Sequence, residues 1–413
     1  MAFFLLGAPI SLLVGALTDS FNRRKLFIAV VLLGEGPCLA TAFVSSYRQL
    51  FAMRALTGIS VGGSIPLLYS LLGDMVPPSK RAAVSAGVGI AQGAGIAAGQ
   101  IAAGYLGAQY GWRRPFVVVA CPAILCALLV LVFVTEPRRG AQEPALKGRA
   151  AGSSSGGADS SLDDEYRERI DWRKARGIFR IRTNLLAFAQ GVPGCIPWGV
   201  INTYLADFMA QDMGMGVAAA TSMVAVFGAG SVVGSVAGGL GGQALYNVRP
   251  RWLAVLMGVT TSLGALPMLV LINMRRVTAG TSIWAFLAGA LSCVTGTNIR
   301  AVLIGVNAPE TRGTCFALFG LTDSLGKGLG PAAVASLITR LGRRAAFNQA
   351  MAMWFVCGAL LLAVGGTVER DEQELQQRLA ARATSPSAAP QDDTACDDRV
   401  PLLHSDEGAA VPL

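Results

Sequence analysis

Apolar residues come along this chain in long blocks, each wide enough to cross a bilayer, separated by short polar breaks. A helix needs about 20 apolar residues to span the hydrocarbon core. Such blocks run over 1–17, 26–45, 49–73, 83–108 and 114–134, and again over 185–212, 217–245, 252–274, 280–306, 312–340 and 345–367. Glycine and proline inside them are compatible with membrane helices. The pattern predicts an all-α polytopic membrane protein of eleven helices. It has a five-helix half over 1–135, a linker over 136–184, a six-helix half over 185–368 and a tail over 369–413. Within the linker, 141–165 is Ala, Gly, Ser and acid without a period, which predicts disorder. Residues 171–182 are basic, with Trp172, Ile178, Phe179 and Ile181 among the charges. That suits either a segment on the membrane surface or a cap leading into the next helix. Glu369–Ala381 reads as a short polar helix.

An internal repeat accounts for the odd number of helices. Pro78 and Arg81 match Pro309 and Arg312, Gly95 and Gly99 match Gly326 and Gly330, and Leu106-Gly107 matches Leu341-Gly342. Val134-Thr-Glu136 matches Thr367-Val-Glu369, and Gly15-Ala-Leu17 pairs with Gly238-Gly-Leu240. The block 185–212 then has no counterpart. The first half is expected to lack its opening helix, through a late start or a real shortening.

Charge sharpens this picture. Only 14% of the 413 residues are charged, and 33 of the 59 charges lie in 136–184 and 369–413. The apolar remainder could not cover a water-soluble globule, which excludes a single-domain soluble enzyme. No basic patch is interleaved with aromatics, so nucleic acid is not an expected partner; the lipid bilayer is. Short-loop Lys and Arg are evenly divided between the two faces. The linker adds eleven to one face and the tail four, which places that face in the cytoplasm. Which membrane the chain occupies, plasma or endolysosomal, is left open. The tail segment Asp398-Arg-Val-Pro-Leu402-Leu403 has the form of an acidic dileucine sorting signal.

Seven of the eight cysteines lie in apolar blocks; the eighth, Cys396, and the one histidine, His404, are in the tail. Without metal-site spacing they read as small buried side chains, and no metal or cofactor is expected. No nucleophile–base set and no nucleotide-binding motif are present, so an enzyme is not expected.

Charged groups inside the spans are costly and usually face a wet cavity or one another. Arg54, Glu35, Asp207 and Arg300, with Asn298 beside the last, are the candidates for a substrate or proton cavity between the halves. Glu35 is the in-chain candidate partner of Arg54; Asp207, Asp323 or an anionic substrate group is that of Arg300. Asp323 and Lys327, four apart on one helix, can neutralise each other. Gly95, Gly99, Gly326 and Gly330, like the string Gly230, Gly234, Gly238 and Gly242, place small residues on one helix face, where helices pack closely.

Gly15-Ala-Leu17-Thr-Asp19-Ser-Phe-Asn22-Arg23-Arg24-Lys25 joins the first two blocks. Gly15 permits close approach, and Asp19 is placed to meet the N-terminal end of a neighbouring helix or a loop arginine. The run resembles the Gly-x-Leu-x-Asp-Arg-x-Gly-Arg-Arg/Lys loop motif of the major facilitator superfamily; Ser20 and Asn22 depart from it. Arg54-x-x-x-Gly58 is similar to an element on that family's fourth helix. The resemblance implies a two-half helical bundle and a carrier that opens to one side at a time. It also implies glycine motifs between the halves on 83–108 and 312–340. Within the family, Asp19–Arg24 and Glu136-Pro-Arg-Arg139-Gly140 resemble the spinster-like group. Pro309-Glu-Thr-Arg-Gly313 looks like a sugar-porter signature, but it follows the wrong helix of its half and is not read as sugar binding. The expected function is secondary active transport of a small organic or lipid-like solute, with protons as a candidate coupling ion. The rival is a sensor or scaffold that kept the fold and does not transport.

Overall fold

The computed structural model describes residues 2–143, 176–274 and 276–384. Most of the linker, Cys396, His404 and the dileucine motif lie outside the described residues, as do 171–175 of the segment 171–182. The first half contains α1 (Ala2–Ser20), α2 (Arg23–Ala40), α3 (Tyr47–Met75), α4 (Arg81–Tyr110) and α5 (Arg114–Phe133). The second contains α6 (Arg182–Gln211), α7 (Val217–Val248), α8 (Pro250–Asn273), α9 (Ala279–Ser292), α10 (Val294–Val306), α11 (Arg312–Leu341) and α12 (Arg343–Val364). A final helix, α13 (Val368–Thr384), follows.

Helix ends obey local chemistry. Asn22 accepts from the Lys25 amide at 2.9 Å to start α2, and Ser46 with Gln49 forms a capping box at the start of α3. α4 and α11 end on Gly111 and Gly342, whose φ angles are +84° and +82°, a conformation glycine adopts without a Cβ clash. These two glycines are 231 residues apart, like Pro78/Pro309, Arg81/Arg312 and Gly95/Gly326. The repeat partner of Gly342 is therefore Gly111, not Gly107. The block 280–306 is one apolar run in sequence but two helices in space. Beside the break at Cys293, Thr295 binds the Thr261 hydroxyl at 2.5 Å on α8.

Eight helical stretches among the described residues are long and apolar enough to cross a membrane. α1, α4 and α11 fall outside that group, and all three pack against the opposite half rather than turning fully to lipid. α5 is the opposite case: Leu125, Leu129, Val132 and Phe133 are exposed on its surface, as a lipid-facing helix requires. The buried apolar clusters gather in the second half, around Phe208, Phe347 and Trp354 and around Met257, Leu303 and Phe316. Among the described residues, the cluster confined to the first half consists of Val14, Val30 and Leu67. The glycine string on α7 packs as its spacing suggests: a Cβ at Gly230 or Gly234 would fall on the backbone of α9, and one at Gly238 on Val294 of α10.

Candidate functional site

The halves are joined most tightly at the end where α1 finishes and α11 begins, here called the linker end. Gly15 brings α1 so close to α11 that a Cβ there would lie 2.7 Å from the Gly313 carbonyl oxygen. This lets Asp19 reach the first turn of α11. It accepts from the Gly313 amide, the Thr314 amide and the Thr314 hydroxyl, each at 2.7 Å. A carboxylate on free N–H groups at a helix N-terminus is a favourable arrangement. Arg139, from the chain beyond α5, donates to the carbonyls of Thr18, Asp19 and Phe21 and so covers the C-terminal end of α1.

Beside it lies a buried charge network. Arg23, fully buried, pairs with Asp74 and donates to the Pro137 carbonyl at 3.0 Å; Glu136 accepts from its backbone amide at 3.0 Å. Asp74 also receives Arg312 at 3.0 Å and the Gly140 amide at 3.0 Å. Arg312 continues to Glu143, which binds Arg81 at 2.7 Å and accepts from Gln376 of α13 at 2.9 Å. The two repeat-related arginines thus meet on one carboxylate. Burial works against ionisation of Glu143, but the Arg312 and Arg81 charges outweigh it and hold its carboxyl at about 2. On α13, Glu372 receives the Tyr246 hydroxyl; burial, only partly offset by that bond, raises its carboxyl above the usual range.

A second polar group lies deeper. Arg300 on α10 donates to the Tyr69 hydroxyl on α3 at 3.1 Å, with its guanidinium carbon 5.0 Å from the Tyr69 ring centre. Tyr69 is itself stacked on Phe316 at 5.0 Å. The buried Nε of Arg300 has no hydrogen-bond partner. Asp323 and Lys327 follow on α11. Asp323 borders a cavity of about 70 Å³ together with Gln190, Cys195, Trp198 and Phe319. That volume holds several waters, and its polar lining suits them.

The sequence-named residues divide between these places and others. Gly15, Asp19, Arg23 and Arg24 are at the linker end; Arg24 donates to the Leu131 carbonyl. Arg300 lies between the halves, but without Asp207. Asp207 is at the opposite end, half-exposed, in an ion pair with Arg343, which also binds Asp212 at 2.7 Å. Asn298 is fully buried and turned to α7, donating to the Gly238 carbonyl at 2.9 Å, so it braces helices instead of lining a cavity. Asp323 and Lys327 form no ion pair with each other among the described residues. Glu35 and Arg54 are neighbours within the first half. Ser60 donates to Glu35 at 3.3 Å, while Arg54 binds Thr57 at 3.0 Å and lies 4.7 Å over the Phe116 ring. Gly326 and Gly330 pack on α6 of their own half, a Cβ at Gly326 lying 2.6 Å from the Val192 carbonyl oxygen. A Cβ at Gly95 or Gly99 would meet nothing within 4 Å, which corrects the expectation that they bring the halves together; Gly89 is the closer approach, where a Cβ would lie 3.2 Å from the Thr297 side chain.

Sequence reasoning missed Asp74, Glu143 and Tyr69, and noticed Arg139 only as part of a motif. The matched Arg81 and Arg312 were the available signal for the network. Nothing in the linker's composition singles out Glu143.

Comparison with known proteins agrees with this architecture. The model of the Major Facilitator Superfamily matches residues 1–285. The chain is 28% identical over 125 residues to the 4-hydroxybenzoate transporter PcaK of Pseudomonas putida, covering 30% of this chain and 28% of that protein. It is 31% identical over 138 residues to vacuolar basic amino acid transporter 2 of Saccharomyces cerevisiae, covering 33% and 29%. These matches thus span less than a third of each relative's length. The solved structure of the proton:xylose symporter XylE superposes with a TM-score of 0.67 at 15% identity, covering 90% of this chain and 87% of that one. With the family model matching well over half of its length, the chain belongs to the Major Facilitator Superfamily.

Proposed function

We propose that the protein is a secondary active transporter that moves a small organic or lipid-like solute by alternating access. One observation carries this reading. The halves are locked together at the linker end, while α4 over Ala91–Ile96 and α11 at Leu325 and Leu329 are exposed further along. Halves joined at one end, with exposed surface on both further along and Arg300 meeting Tyr69 between them, suit one state of such a carrier. We take 1–135 and 185–368 as the two transmembrane halves, with the linker 136–184 and the tail 369–413 on the cytoplasmic face. The linker's basic residues support that orientation. Tags at Ser155 and at the C-terminus should both resist external protease in intact cells.

The relatives do not choose the solute: their names cover an aromatic acid, basic amino acids and a sugar. A spinster-like placement is favoured by two motifs that interlock here, Arg23 with Glu136 and Arg139 with the end of α1. The rival reading is a non-transporting sensor or scaffold that kept the fold. Uptake of labelled carboxylates, amino acids, sugars and lysolipids into proteoliposomes decides between them. Saturable uptake of one class, with counterflow, is expected of the carrier. Uptake no faster than in protein-free vesicles throughout favours the scaffold.

A further inference from the structure

α3, α4, α10 and α11 present their residues in one order from the linker end inward. On α11, Arg312 belongs to the charge network, Phe316 follows one turn deeper, and Leu325 and Leu329 are exposed beyond it. On α10, the Ile304 carbonyl accepts from Arg312 at 3.1 Å, and Arg300 lies one turn deeper. On α3, the Gly73 carbonyl accepts from Arg81 at 2.9 Å, and Tyr69 lies one turn deeper. On α4, Arg81 is in the network, a Cβ at Gly89 would lie 3.2 Å from Thr297, and Ala91–Ile96 is exposed beyond. A step of four residues is about 6 Å along a helix. Tyr69, Phe316 and Arg300 therefore form one layer beneath the network, between it and the exposed stretches. Tyr69 comes from the first half and is completely buried. Its ring stacks on Phe316 and its hydroxyl accepts from Arg300, so it is held by the second half.

The chemistry of this layer differs from that of the network above it. The network is made of buried ion pairs, and pulling such a pair apart strands both charges. Among the described residues Arg300 is in no ion pair. It meets a neutral hydroxyl and an aromatic face, and its Nε has no partner. A hydroxyl and a ring are weaker partners than a carboxylate, and parting from them strands no anion. A barrier that opens and closes in every cycle, deeper than the helix ends, suits contacts of this kind. We propose, on the reading of the protein as a carrier, that this layer is the gate closing the solute path toward the linker end. Tyr69 is its plug, and Phe316 and Arg300 hold the plug shut. Arg300 is then a positioning residue, acting through Tyr69 rather than on the solute.

The test reads access from each face of the membrane. Lys327 is exposed and lies about three turns beyond Phe316 on the same face of α11, on the far side of the layer from the network. The full chain with Lys327→Cys is reconstituted in vesicles and treated with a membrane-impermeant thiosulfonate from one face at a time. Peptide mass spectrometry reads modification at residue 327 separately from the native cysteines. Modification from the linker face is expected to be at least about tenfold slower than from the opposite face. Adding Tyr69→Ala should raise the linker-face rate at least about tenfold. Tyr69→Phe keeps the ring and loses the hydroxyl, and should raise that rate by about tenfold or less, as should Arg300→Gln. A merely structural role would lower stability without favouring one face. Equal rates from both faces before any change at Tyr69 would overturn the gate, as would an unchanged linker-face rate in both Tyr69 variants. If Tyr69→Ala cannot be purified, Tyr69→Phe decides alone. One-sided access that Tyr69→Ala abolishes, in a chain that takes up no solute, would leave the barrier and remove the carrier. Saturable uptake with access unchanged by Tyr69→Ala would keep the carrier and remove the gate.

Discussion

α4 and α11 are one helix written twice, and they do not end in the same surroundings. Both start after a short 3-10 turn, at Pro78–Lys80 and Pro309–Thr311, and both send their first arginine to Glu143. Both stop at a glycine with positive φ. Between those points they diverge. Gly326 and Gly330 are pressed against Val192 and Ile196 of α6; Gly95 and Gly99, the same positions in the first half, touch nothing. Local sequence determines where such a helix begins and stops. What its small residues do is determined by whether a neighbour fills the space beside them, and α6 has no described counterpart against α4.

The ends of the two helices are alike but not equal, and the largest effect should come from separating them. Arg312 is completely buried and binds two carboxylates, Asp74 and Glu143, whereas Arg81 binds only the second. Arg312→Ala takes one cation away from each of two buried carboxylates, leaving Asp74 with Arg23 and Glu143 with Arg81, and is expected to cost about 3 kcal/mol. Arg81→Ala, whose removal leaves Glu143 still paired, should cost clearly less. Thermal melting of the purified protein measures both. Equal losses would mean that the network treats the repeat as symmetric, against the geometry seen here.

The middles of the helices give the next contrast. Gly330→Leu drives a side chain into the backbone of α6, with the Ile196 Cα 3.1 Å from the new Cβ. Overpacking of that kind costs about 3 kcal/mol. Gly99→Leu enters open space and should stay within about 0.5 kcal/mol. Matching destabilisation at Gly99 would show that a helix is seated on α4 after all, and the asymmetry between halves would disappear.

The carboxylate shared by the two helices makes a pH prediction. Glu143 is held at about 2, below its ordinary 4.5, so its bound state takes up protons less readily than its unfolded state. Its contribution is therefore complete above 4.5 and falls away as the pH drops toward about 2. Glu143→Gln should remove that part of the acid-side slope and cost about 2 kcal/mol near neutrality, the loss of hydrogen bonds to a charged group. Melting curves taken across the acid range test it; an unchanged slope in the variant would assign the acid sensitivity to other groups.

Much of the architecture was legible because its signals are long. Apolar blocks of about 20 residues and more mark the helices, and the 231-residue repeat shows which of them correspond. The site was legible only where a motif is local. Asp19 could be placed near a helix N-terminus because its carboxylate ends a helix and a glycine four residues earlier allows approach. Asn298 and Arg300 are two residues apart, about 200° around a helix, so only one of them can face the cavity. Which one depends on the Gly238 side of α7, and that is not written near either residue. Glu143 sits in a stretch of low complexity, and its partners come from 62 and 169 residues away.

Asp207 shows the same limit in the other direction and makes the smallest prediction. As the acid of an apolar block that also contains Pro193 and Pro197, it reads as a cavity residue. α6 is 30 residues long, however, and Asp207 falls in its last turns, at the end far from the linker. There it is half-exposed, holds the side chain of Gln211 at 2.6 Å and shares Arg343 with Asp212. An exposed pair is screened by solvent and is worth less than about 1 kcal/mol. Arg343 also retains Asp212 when Asp207 is neutralised. Asp207→Asn is therefore expected to shift melting by little and to leave solute uptake in proteoliposomes as it is. Loss of uptake in Asp207→Asn, at unchanged stability, would show that the solute path runs past the far rim and that Asp207 is more than an exposed ion pair.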